Sequence, residues 1–259
     1  MTKLGTAFQN KKAFIAFITA GDPDLDTTEK LIYEMVSNGV DLIEIGIPFS
    51  DPIAEGPVIQ EADIRALAGG TTTEKIFDLV ERVRPNIDIP LVFMTYCNVV
   101  FGYGTEKFME KSHQIGIDGL IIPDVPYEEK EELQPFAKKY GIELVSLVAP
   151  TSHDRIKMIA KEAEGFLYIV SSLGVTGVRS EITTDIGEIV ALSKSASPIP
   201  CAVGFGISTP EQAAQMAKQA DGVIVGSAIV KMVAKYGKDS VKYVGNFVRE
   251  MSSAVHSVS

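Results

Sequence analysis

Leu42-Ile43-Glu44-Ile45-Gly46-Ile47 decides the fold, because it reads as a strand covered on both faces with one acid where none should be. Strand alternation puts Ile43, Ile45 and Ile47 on one face and Leu42, Glu44 and Gly46 on the other. An ionised carboxylate in such a run is costly unless it is paired, protonated or used. A buried ion pair with a distant Lys or Arg is the plain alternative to a catalytic role.

Similar apolar, β-branched runs begin near Ala13, Leu91, Gly119, Glu143, Phe166, Ile199 and Gly222. Helical stretches at 26–38, 73–84, 105–115, 127–140, 152–163, 184–195, 209–218 and 238–253 separate them. The first opens behind Asp26-Thr27-Thr28, a capping sequence, and Pro210 suits the first turn of the seventh. Eight strand–helix units predict an α/β fold of the (β/α)8 TIM-barrel kind, one domain over residues 1–259. A doubly wound sheet is the rival. Its glycine fingerprint fails here, since Gly204-Phe205-Gly206-Ile207-Ser208-Thr209 has Thr where the third glycine belongs.

The 49 residues from Leu42 to Leu91 form the longest interval between strand starts. They contain the loop Ser50-Asp51-Pro52-Ile53-Ala54-Glu55-Gly56-Pro57 and a short helix-like stretch, 61–67. A loop inserted after a barrel strand lies on the face where barrels keep their chemistry; a harmless surface insertion is the other reading. Glu44 in an apolar strand and Glu55 on a mobile loop are expected to titrate apart, as acid–base pairs do.

Glycines gather after the last three strands: Gly174 and Gly177, Gly204 and Gly206, then Gly226 before Ser227. Backbone N–H groups close on a phosphate only where no side chain intrudes, and a helix N-terminus adds a favourable dipole. Gly177, Gly206, Gly226 and Ser227 are therefore the candidate phosphate cradle, with Ser227 opening a short extra helix.

Composition narrows the function from outside. The chain carries a net charge of −10 and no basic run, which argues against nucleic acid. No Cys, His and Asp cluster has metal-ligand spacing, so no metal is expected. Cys97 and Cys201 lie in strand-like runs, which suits a reducing compartment. The N-terminus lacks a signal-like apolar centre and no run approaches a membrane span, so a cytoplasmic location is expected.

The segments IEIGIPFSDPIAEGPVIQ (43–60), DGLIIPDVPYEE (118–129), GVTG (174–177), GFGIS (204–208) and VGSAIV (225–230) resemble the tryptophan synthase alpha subunit family. The resemblance runs from about Phe8 to about Val248. It implies a retro-aldol lyase that cleaves indole-3-glycerol phosphate to indole and glyceraldehyde 3-phosphate. It also implies a beta-subunit partner in an alpha2-beta2 heterotetramer, with pyridoxal phosphate in that partner and no cofactor in this chain. Carried over, Glu44 matches the general acid/base and Glu55 the carboxylate that holds the indole N–H, where the family usually has Asp. Phe17, Met94, Ile121 and Phe205 match the apolar walls around the indole ring, with core packing an equal explanation for Met94 and Ile121. Tyr168 falls near the acid, and Thr176 matches the residue that meets the Glu55 loop on closure. Two other readings compete. One is a phosphate-binding isomerase barrel, which would lack the PFSDP loop; the other is a non-catalytic activator, which would not keep Glu44.

Overall fold

The computed structural model describes residues 3–170, 186–204 and 206–258. Its strands are β1 (Ala13–Thr19), β2 (Leu42–Gly46), β3 (Leu91–Met94), β4 (Gly119–Ile121), β5 (Glu143–Leu144), β6 (Ser146–Val148), β7 (Leu167–Val170), β8 (Cys201–Gly204) and β9 (Gly222–Val225). All neighbours pair in parallel, in the order β5-β4-β3-β2-β1-β9-β8-β7-β6. The two ends of that order are β5 and β6, which only Val145 separates, so the sheet closes into a barrel through one interrupted strand. The expected eight strand runs are all present, the fifth of them split in two.

Alternation along each strand sorts the core into two layers. Ile43, Ile45 and Ile47 point out and pack with the helices in the larger cluster, beside Phe14, Phe77 and Phe93. Leu42, Ile15, Val92, Ile121, Phe166 and Ile224 point in and fill the lumen. The N-terminal 3-10 turn Leu4–Phe8 plugs the lower mouth. Leu4 and Ala7 are buried in the lumen cluster, the Phe8 ring lies 5.6 Å from that of Phe166, and the Leu4 N–H donates to Glu143 at 3.1 Å.

Helix boundaries shift where local chemistry intervenes. The first helix is Leu25–Ser37, and its cap is Asp24, which accepts from Thr27 N–H at 2.7 Å; Asp26 sits in the first turn instead. The expected helix 127–140 is a 3-10 turn, Tyr127–Glu132, followed by the helix Gln134–Tyr140, whose first turn holds Pro135, where a missing N–H leaves no bond unmade. Pro210–Ala217 opens with a complete capping box between Thr209 and Gln212. The stretch expected at 61–67 is longer, Pro57–Ala68. A further helix, Cys97–Tyr103, follows β3; its Cys97 N–H donates to both Asp124 carboxylate oxygens, at 3.0 and 3.2 Å. Among the described residues no helix is long and apolar enough to cross a membrane.

Candidate active site

Glu44 lies inside the barrel, between Phe17 on β1 and Val92 on β3 in register. It is wholly buried, and neither carboxylate oxygen has a hydrogen-bond partner among the described residues. The ion-pair alternative therefore has no support there. Burial alone pushes its pKa up to about 8, so the group is mostly protonated at neutral pH. Tyr168 on β7 stands close enough for the Glu44 charge to raise its phenol further above its usual range, already lifted by burial.

Glu55 lies on the expected loop, but it is buried there. Its side chain is only 7% exposed, because the loop folds down over the barrel mouth. Tyr96, just after β3, organises that fold. Its ring stacks on Phe49 at 5.2 Å, and its hydroxyl accepts from Ala54 N–H at 3.1 Å. Gln60 Nε2 donates to the Glu55 carbonyl at 2.7 Å, tying the loop to the helix Pro57–Ala68. Asp63 of that helix is buried near Glu55, and burial with the Glu55 charge pushes its carboxyl up to about 9. Burial raises Glu55, so both site acids shift upward. Glu55 Oε2 has no partner among the described residues.

One cavity collects the candidates. Phe17, Glu44, Glu55, Met94, Tyr168 and Gly206 line it, together with Gly226 and Ser227. Ile59, Gly204, Ile207 and Ile224 join them without having been singled out in the sequence. Ile59 is the fourth residue beyond Glu55, one helical turn along, which is the spacing that could have found it. Ile121 pairs with Met94 but is buried in the lumen layer rather than on the cavity wall. Thr176, Gly177 and Phe205 lie outside the described residues.

Gly226 is the N-cap of the helix Ser227–Tyr236, whose first-turn N–H groups have no partners within the helix and open onto the cavity beside the Ser227 hydroxyl. A Cβ on Gly226 would come within 3.3 Å of the Phe17 side chain. The candidate cradle residues Gly206, Gly226 and Ser227 thus share one cavity with both acids. A larger cavity, about 250 Å³, lies under β4 and β6, but no acid lines it. The smaller one gathers both candidate acids. Among the described residues no three His, Cys, Asp or Glu side chains group as metal ligands.

The sequence profile described as tryptophan synthase alpha chain matches residues 5–256. The chain belongs to the tryptophan synthase alpha chain family. A curated tryptophan synthase alpha chain from Lacticaseibacillus casei is 48% identical, covering 98% of this chain and 96% of that protein. The crystal structure of the tryptophan synthase alpha chain from Legionella pneumophila superposes with a TM-score of 0.88 at 35% identity, covering 98% and 97%. A structure reported for the mutual activation of the tryptophan synthase α2β2 complex of Pyrococcus furiosus gives 0.84 at 33% identity, covering 94% and 98%. Tryptophan synthase alpha chains are lyases of tryptophan biosynthesis that cleave indole-3-glycerol phosphate, and this chain has that function.

Proposed function

We propose that Glu44 is the general acid/base of the cleavage and that Glu55 holds the indole N–H. One observation supports this above the others: a fully buried carboxyl without a partner among the described residues shares a cavity with a second acid and a backbone anion cradle. The substrate spans that cavity, its phosphate on Gly206, Gly226 and Ser227 and its ring between Phe17 and Met94. Protonated Glu44 delivers a proton to indole C3, giving an indolenine with positive charge at the ring nitrogen. Glu44, now anionic, takes the proton of the adjacent side-chain hydroxyl, and the carbon–carbon bond breaks. The bond electrons return to the ring, and the side chain leaves as the aldehyde glyceraldehyde 3-phosphate. Glu55 Oε2 accepts the ring N–H and offsets the developing charge in a site shielded from water.

In this reading side chains of this chain do the work without a cofactor, and pyridoxal phosphate belongs to a beta-subunit partner in an alpha2-beta2 assembly. The rim of the barrel mouth suits such a partner, since Ile53 is 74% exposed at the tip of the Glu55 loop and Phe101 is exposed on the neighbouring helix. A cytoplasmic setting, where Cys97 and Cys201 stay reduced, completes the proposal. The test is indole release from indole-3-glycerol phosphate by the chain with and without a beta subunit, wild type against Glu44→Gln. Turnover that depends on Glu44 supports the assignment; a Gln variant that turns over normally removes Glu44 from the chemistry.

A further inference from the structure

The helix Pro57–Ala68 lies between the Glu55 loop and the helix Ser227–Tyr236, against which it packs. At its start Gln60 Nε2 holds the Glu55 carbonyl at 2.7 Å, and Ile59 lines the cavity. Its inner face puts Ile59 and Ala62 against Phe17 of β1 and Val230 of the Ser227 helix. Apolar contact is non-directional, so it sets the distance of this helix from the barrel but not its rotation or slide.

A directional contact stands at the other end. Arg65 Nε donates to Asp22 Oδ1 and Arg65 Nη2 to Asp22 Oδ2, both at 2.8 Å. Asp22 is buried at 3% exposure, on the loop after β1, where the backbone is anchored twice. Ala20 N–H donates to the Gly46 carbonyl at the end of β2, and Gly21 N–H donates to Thr28 Oγ1, both at 2.9 Å. A Cβ on Gly21 would overlap the Thr71 side chain, so the chain leaving the helix is pressed against the same loop. We propose that Arg65 and Asp22 are positioning residues for the lyase reaction: their two-pronged ion pair sets the rotation and slide of Pro57–Ala68, and through it the placement of Ile59 and the Glu55 loop relative to Glu44.

A guanidinium held by both oxygens of one carboxylate has one orientation, whereas an ammonium pivots about a single point. Removing Arg65 also leaves a buried carboxylate without its cation, which destabilises the fold. The Arg65 side chain is 35% exposed, so the gap it leaves opens to solvent and admits a small cation.

This inference rests on the proposed roles of Glu44 and Glu55. Its test is indole release from indole-3-glycerol phosphate by wild type, Arg65→Ala, Arg65→Lys and the double variant Asp22→Ala, Arg65→Ala, at a temperature where circular dichroism shows each folded. Arg65→Ala should lower kcat by about 10- to 100-fold, the range for groups displaced by up to an ångström. Glyceraldehyde 3-phosphate affinity should stay near wild type, because β1 and the helix Ser240–His256 hold the Ser227 helix independently. Arg65→Lys should fall between wild type and Arg65→Ala, since the charge stays and the fork is lost; it carries the comparison by itself if Arg65→Ala does not fold. Guanidinium ion at millimolar concentration should restore part of the kcat of Arg65→Ala and none in the double variant, where Asp22 no longer seats it. A purely structural pair would lower the unfolding temperature and leave kcat intact. Wild-type kcat in folded Arg65→Ala, or rescue that survives the loss of Asp22, overturns the proposal. Wild type that releases no indole overturns the functional reading instead. Hydrogen exchange of residues 50–60 then decides for the pair, faster in Arg65→Ala if the pair holds the loop and unchanged if it does not.

Discussion

The Tyr168 hydroxyl occupies the space that a side chain on Gly204 would need, 2.4 Å from the ideal Cβ position. The absence of a side chain on β8 is thus what lets β7 bring a phenol over Glu44. Gly204→Ala should push the ring out of the lumen, cost about 1–3 kcal/mol as overpacking does, and lower kcat more than it raises KM. Thermal unfolding and steady-state kinetics on the same preparation check both. Unchanged turnover would mean that Tyr168 only packs.

Glu44→Gln should lower kcat by about a thousandfold or more, in the upper range of general acid–base contributions. Its effect on stability has the opposite sign. The folded state holds the Glu44 proton up to about pH 8, whereas the unfolded chain loses it near 4.5. The wild type is therefore fully stable in this respect below about pH 4.5 and loses about 1.4 kcal/mol per pH unit as pH rises to about 8. The Gln variant lacks that decline. Urea unfolding of the two proteins at pH 5 and pH 8 should show the gap opening in favour of Gln.

In activity the same proton sets the alkaline limit. A carboxyl that must arrive protonated at indole C3 makes kcat/KM fall as pH rises through about 8. A profile that stays level to pH 9.5 would mean that the anionic form starts the reaction.

The phosphate end should respond to intrusion rather than to lost side chains. Gly226→Val drives a branched side chain against Phe17 and should weaken glyceraldehyde 3-phosphate binding by well over tenfold, as judged by calorimetric titration. Ser227→Ala should cost only about 1 kcal/mol, one hydrogen bond. Equal losses in the two variants would place the phosphate on side chains.

Glu55→Asp restores the acid usual in the family but withdraws the carboxyl by one methylene. Activity should stay within about tenfold, since a factor of ten corresponds to about 1.4 kcal/mol, and Glu55→Ala should lose far more. Indole release by the two variants decides between a charge that matters and a loop residue that does not.

The barrel was legible in the sequence because a strand covered on both faces has few disguises. Ile43, Ile45 and Ile47 declared one face, and the exception on the other face was Glu44. Glycines at strand ends pointed to one place for a similar reason, since Gly206, Gly226 and Ser227 meet at one cavity. What stayed hidden depended on the chain folding over itself. Nothing local marks Glu55 as buried, because Tyr96, forty-one residues later, makes it so. Nothing in the sequence marks Asp63 as buried, and the Asp22–Arg65 clamp shows which way its helix is turned. The split at Val145 left no trace in a run that is apolar on both sides of it. Leu4–Phe8 was too short to show any period at all.

That N-terminal turn carries a consequence for how the molecule is made. Leu4 docks against Glu143, Gly119, Gly165 and Phe166, partners separated from it by more than a hundred residues of chain. A protein emerging from the ribosome presents its N-terminus first and its remaining strands in turn. The floor of this barrel cannot be laid until β7 has been synthesised and closed beside β6. Leu4–Phe8 are translated before every one of these partners and are therefore left waiting, apolar and unhoused, until Leu167–Val170 has followed them.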